Sequence, residues 1–121
     1  AETMDFARRF DPQPFHLDDA AAAASHFGRL SASGWHTATT YMRLFVATRD
    51  RIRAENLARG VDTVPNGPSP GFRDLSWFKP VFAGDTLYAE STVLEKRASK
   101  SSETLATRRT TTSRARTARC R

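Results

Sequence analysis

Apolar residues recur at helical spacing over one long stretch of the chain. Trp35, Ala38, Met42, Phe45, Ile52 and Leu57 form a stripe that Leu44 and Val46 widen. The spacing predicts a helix of about 20 residues or more. Ser31 to Gly34 is the small, flexible approach to its start, and Gly60 is its expected stop. Arg49, Asp50, Arg51, Arg53 and Glu55 crowd its second half, so that end is expected to leave the core. Upstream, Met4, Phe6, Ala7 and Phe10 give Thr3 to Phe10 the look of a short helix. Asp11-Pro12-Gln13-Pro14 should break it, because each proline pushes its predecessor toward extended geometry. A further helix is expected over Ala20 to Phe27, capped by Asp18 or Asp19 and stopped by Gly28.

Beyond the long helix the period changes. Residues 61–71, with three prolines and two glycines, read as a loop. Phe72, Leu75, Trp77 and Phe78 alternate with polar residues and suggest a strand. "FAGD" is a turn, and residues 86–98 alternate well enough for a second strand antiparallel to the first. Residues 99–121 differ: ten of these 23 are Ser or Thr, and Leu105 is the one large aliphatic. Threonine would allow a weak edge strand over Thr104 to Thr112, but disorder is the expected state.

Charge sharpens this division. The net charge of +6 suggests nucleic acid until it is mapped. Residues 1–98 carry 12 Lys+Arg and 12 Asp+Glu, so the whole excess sits in residues 99–121. Every aromatic residue lies before position 99, so the basic tail has no stacking side chains, and nucleic-acid binding is not expected. No apolar run approaches the roughly 20 residues that span a bilayer, and the first residues lack the order of a signal peptide. One cysteine, Cys120, excludes an internal disulfide framework and a Cys-based zinc cluster; a reducing, cytoplasmic setting follows as the expectation.

The candidate chemistry lies in "DPQPFHLD", residues 11–18. Asp-Pro opens turns in many proteins, and a His near a helix start is ordinarily structural. His26 and His36 keep that structural reading. Three features set Asp11 and His16 apart. The prolines lower the entropy cost of holding the two in one geometry. Phe10 and Phe15 flank them with apolar surface. The long helix opens nearby at a Ser-Gly turn whose free N–H groups suit negative charge.

D-P-Q-P-F-H-L-D followed by A-x-x-S-x-F-G-x-L-x-A-S-G-W-H resembles the hydratase signature of the MaoC-like dehydratases, relatives of the (R)-specific enoyl-CoA hydratases. Asp11, Gln13, Pro14, His16 and Asp18 match it, as do Ser33 and Gly34. "KPVFAGDTL", Lys79 to Leu87, is similar to the family's Pro-Val and Gly-Asp turn. The likeness covers residues 4 to 98. It implies an α+β hot-dog fold, an antiparallel sheet of about five strands wrapped round a long central helix. The first strand would precede this chain and two more would follow Ser101, so the chain is expected to be incomplete at both ends: a hot-dog domain over residues 1–98, then a tail outside the family pattern.

The activity implied is hydration of a trans-2-enoyl thioester to a 3-hydroxyacyl thioester. Asp11 would be the base, with His16 orienting the water and passing a proton to C2. The Gly34 amide would face the enolate oxygen. Pro14, Ser33 and Trp35 are the expected substrate-binding residues. No metal or redox cofactor is implied; coenzyme A or an acyl carrier belongs to the substrate. Homodimers or higher homo-oligomers are expected. Two alternatives share the fold: a non-catalytic acyl-thioester-binding or subunit-association domain, and a thioesterase.

Overall fold

The computed structural model describes residues 2–63, 71–98 and 105–112. Helix α1 is Glu2–Phe10 and buries Ala7. It ends where the prolines begin. Gln13 stands before Pro14 and is extended (φ −77°, ψ 141°), as a residue before proline must be. Pro14 does not keep the chain extended, however: it opens a one-turn helix α2, Pro14–Leu17. Its fixed φ suits the first helical position, where its missing N–H costs nothing.

Asp18 then serves two helices. Its backbone N–H donates to the Pro14 carbonyl, and its side chain accepts from the Ala21 N–H at 2.7 Å, capping α3, Asp19–Ala23. The expected helix through Phe27 stops four residues short. Ser25 Oγ donates to the Ala22 carbonyl (2.7 Å) and accepts from the Phe27 N–H (3.2 Å), a local arrangement that competes with helix continuation. Gly28 follows with φ +69°.

The long helix α4 runs Gly34–Ala58, 25 residues or about 37 Å. Ser33 caps its start, accepting from the Trp35 N–H. Its end is a Schellman arrangement: Val61 N–H reaches the Asn56 carbonyl (2.9 Å) and Gly60 N–H the Leu57 carbonyl (3.0 Å). Gly60 makes this possible by adopting φ +71°. No residue of α4 is buried. Its apolar stripe is half open, with Trp35 50 % and Met42 49 % exposed.

The first expected strand is not one. Residues 72–78 pass α4 without strand pairing, and Asp74 breaks the run with φ +56°, a conformation that no strand accommodates. Strand β1 is Glu90–Ala98, shorter than the expected 86–98. Its antiparallel partner is β2, Leu105–Thr112, where disorder was expected. Glu90 faces Thr112 and Ala98 faces Leu105, with an irregularity between Val93 and Glu95. The threonines that suggested at most a weak edge pair here over the full length of β2. Among the described residues the sheet has these two strands, and Ser91 and Val93 of β1 border one cavity with residues of α4; the sheet of a hot-dog fold is not complete within them. The basic ends around β2, and most of the loop before Gly71, lie outside the described residues.

Among the described residues the deepest side chains are small or polar. Ala7 and Ala22 are the buried apolar residues, while His16, Ser31 and Ser33 are the buried polar ones. The interior of the N-terminal half is therefore a hydrogen-bonded knot, and that knot is the candidate site.

Candidate active site

Five residues from three segments build it. Helix α1 delivers Asp11, whose N–H still bonds the Ala7 carbonyl (2.9 Å). Helix α2 delivers His16. The segment before α4 delivers Ser31, Ser33 and then Gly34. That segment is braced from behind: Ser31 bridges to Phe82, Ala32 N–H donates to the Val81 carbonyl (2.7 Å), and the Arg29 guanidinium lies over the Phe82 ring at 3.8 Å.

His16 is 5 % exposed. Its Nδ1 lies 2.8 Å from the Ser31 carbonyl oxygen and 3.3 Å from Ser31 Oγ. A carbonyl can only accept, so the assigned tautomer places the hydrogen on Nδ1. In neutral His16, Nε2 is then a bare lone pair. It points at Asp11 Oδ2, 3.5 Å away. Two acceptors at that distance do not bond each other. A molecule with two hydrogens to give, such as water, satisfies both from one position beside the pair.

Asp11 is held as firmly. Oδ2 accepts from Ser33 Oγ at 2.7 Å, and Oδ1 accepts from Gln13 Nε2 at 3.1 Å. The Ser33 hydrogen bond is the main cause that holds the Asp11 pKa below its ordinary value; partial burial opposes it, Gln13 adds to the lowering, and His16 adds to it by its charge when protonated. The carboxylate is thus kept ionised and available as a base.

Ser33 hydroxyl does two things at once: it donates to Asp11 and accepts from the Trp35 N–H (3.2 Å). It ties the carboxylate to the N-terminus of α4. In that first turn, Thr37 N–H goes to the Ser33 carbonyl (3.2 Å). The amide of Gly34 has no acceptor among the described residues, as expected at a helix start. The Trp77 indole covers Gly34: a Cβ built there would lie 2.5 Å from Cε2, 2.7 Å from Cδ2 and 2.8 Å from Nε1.

Asp11, His16, Gly34 and Trp35 line one cavity of about 870 Å³. A second, of about 620 Å³, lies farther along α4 and shares Tyr41, Leu44 and Tyr88 with the first, so the two form one groove. Of the six sequence-derived site residues, these four face the cavity. Ser33 is buried and reaches it through Asp11, and Pro14 starts α2 without lining it. Residue-type reasoning missed Ser31, which acts mainly through its backbone carbonyl, and Trp77, whose contact with Gly34 is long-range. Among the described residues no cluster of His, Cys, Asp or Glu is placed to hold a metal, and no helix is long and apolar enough to cross a membrane.

Comparison with known proteins adds three findings. The family model described as a MaoC like domain matches residues 1–115, past the point where the likeness was expected to end. The chain is 35 % identical to a MaoC-like dehydratase from Rhodospirillum rubrum of known crystal structure, covering 95 % of this chain and 73 % of that one, with a TM-score of 0.59. It is also 26 % identical over 95 residues to the uncharacterized protein YdeM of Bacillus subtilis; the match takes in 78 % of this chain and 60 % of that protein's length.

Proposed function

This chain belongs to the MaoC-like domain family, and from that premise we propose that it is a hydro-lyase that adds water reversibly to a trans-2-enoyl thioester. The observation that carries the reading is the facing pair, Asp11 Oδ2 and His16 Nε2 at 3.5 Å, in the cavity where Gly34 opens α4.

In this reading the pair holds one water. Asp11 takes a proton as the water oxygen bonds to C3 of the substrate, and the electron pair of the double bond moves onto the thioester oxygen as an enolate. The proton passes from Asp11 to Nε2 of His16 and then to C2, where the enolate electrons form the new C–H bond. Water has then added across the double bond, and both side chains return to their starting state. The Gly34 amide meets the enolate oxygen at the positive end of α4. The groove along α4 receives the acyl chain; coenzyme A or an acyl carrier bears it, and no metal or redox cofactor takes part.

The open face of α4 and the two-stranded sheet support a further part of the proposal: the sheet of a hot-dog fold is completed in a homodimer or larger homo-oligomer. That arrangement would bury the half-exposed stripe of α4.

The test is hydration of crotonyl-CoA, followed by loss of the conjugated thioester absorbance. The wild-type chain turns it over, and Asp11→Asn lowers kcat by about 10³-fold while still binding the thioester. Binding without turnover in the wild type would instead make this an acyl-thioester-binding domain. Release of free thiol would make it a thioesterase.

A further inference from the structure

The mechanism above gives the enolate oxygen one donor, the Gly34 amide. An oxyanion has lone pairs for more than one, and sites that stabilise it generally aim two N–H groups at the same point. Beside Gly34 the Trp35 N–H is taken by Ser33 Oγ and the Thr37 N–H by the Ser33 carbonyl. The His36 N–H, and side chains that touch Gly34 itself, are the candidates for the second donor.

The geometry points to Trp77, and we propose that its indole N–H is that second donor, paired with the Gly34 amide on the thioester oxygen; this rests on the hydratase reading. Three atoms of the five-membered ring, Cε2, Cδ2 and Nε1, lie 2.5 to 2.8 Å from the point a Cβ would occupy on Gly34. Such similar distances mean that the ring meets Gly34 face-on, with Nε1 2.8 Å from that point. Nε1 has no acceptor among the described residues. Trp77 lines the same cavity as Asp11 and His16.

The ring is half exposed (48 %) and has an aromatic neighbour. It meets Trp35 edge-on with centroids 6.1 Å apart (76°), and Trp35 in turn contacts Phe72 at 6.5 Å. Gly34 and Trp77 are therefore a matched pair: any side chain at 34 would occupy the volume of the indole. The glycine has two uses, close approach for the thioester and a seat for the donor.

The test is Trp77→Phe, which keeps an aromatic ring and removes the N–H. With crotonyl-CoA, kcat should fall by about 100-fold with KM little changed. Trp77→His returns a ring N–H and should recover part of the loss. A second readout needs no turnover: cinnamoyl-CoA bound to the wild type should show a red-shifted absorbance as its carbonyl is polarised, and W77F should shrink that shift. Gly34→Ala, which displaces the indole without removing it, should shrink it too, with folding checked by circular dichroism. Wild-type kcat and an unchanged red shift in W77F would overturn the proposal, as would a wild-type complex with no red shift. If the wild type fails to hydrate crotonyl-CoA, the hydratase reading falls, while the cinnamoyl-CoA spectra still decide whether Trp77 donates to a bound thioester.

Discussion

Ser33→Ala tests how the site and the fold depend on one hydroxyl. Ser33 is fully buried, and its Oγ makes two hydrogen bonds: it donates to Asp11 Oδ2 at 2.7 Å and accepts from the Trp35 N–H at 3.2 Å. Loss of an N-cap costs about 1 kcal/mol. Loss of a hydrogen bond to a charged group costs about 1.5–3 kcal/mol when the partner stays buried. Asp11 keeps Gln13 and is 17 % exposed, so water recovers part of that second term. The expected total is about 2–3 kcal/mol at pH 7, read from urea unfolding at unchanged m-value. The pH dependence has a definite sign. A carboxylate whose pKa is lower in the folded state stabilises the fold above its unfolded pKa, and that stabilisation is lost as pH falls through the folded value. The main cause of the lowering is Ser33 itself. The gap between wild type and S33A should therefore be full at neutral pH and narrow as the solution is made more acidic than the ordinary carboxylate pKa. In the same variant the acid limb of kcat/KM should move up in pH, since Asp11 loses what keeps it ionised. A loss under about 0.5 kcal/mol together with an unmoved acid limb would refute the coupling of helix cap to carboxylate.

Two further substitutions probe the elements that position the site. Asp18→Ala removes the cap of α3, whose bond to the Ala21 N–H is 2.7 Å; urea unfolding should show a loss of about 1 kcal/mol, and no loss would mean that the cap contributes nothing in solution. Gly60→Ala places a side chain at φ +71°, where a Cβ meets nothing within 4 Å. Its cost is then purely conformational, about 1–2 kcal/mol by the same measurement with turnover unchanged, and a neutral result would contradict the Schellman end of α4.

The parts of this molecule that sequence made legible are those fixed by local chemistry. The Ser33-Gly34 start and Gly60 end of α4 follow from capping and from a conformation that glycine adopts freely. The nearness of Asp11 and His16 follows from two prolines within a short segment, although Pro14 achieved it by starting a helical turn and not by holding the chain extended. What was not legible depends on remote partners or on the backbone. The alternation at 72–78 imitates a strand, yet Asp74 turns the chain and the ladder forms instead between residues 90–98 and 105–112. The partner of His16 Nδ1 is a carbonyl that any residue would bring, so the identity of Ser31 gave no signal for it. The Trp77 indole reaches Gly34 because residues 81 and 82 are pinned to 31 and 32, a pairing with no local sequence mark.

The central claim is that Asp11 and His16 deliver a water molecule to carbon 3 of an enoyl thioester. The most direct measurement is mass spectrometry of the products formed from crotonyl-CoA in H2(18)O. The expected product is 3-hydroxybutyryl-CoA with one heavy oxygen on its hydroxyl and an intact thioester. Heavy oxygen in a free carboxylic acid, or recovery of unreacted thioester alone, would contradict it.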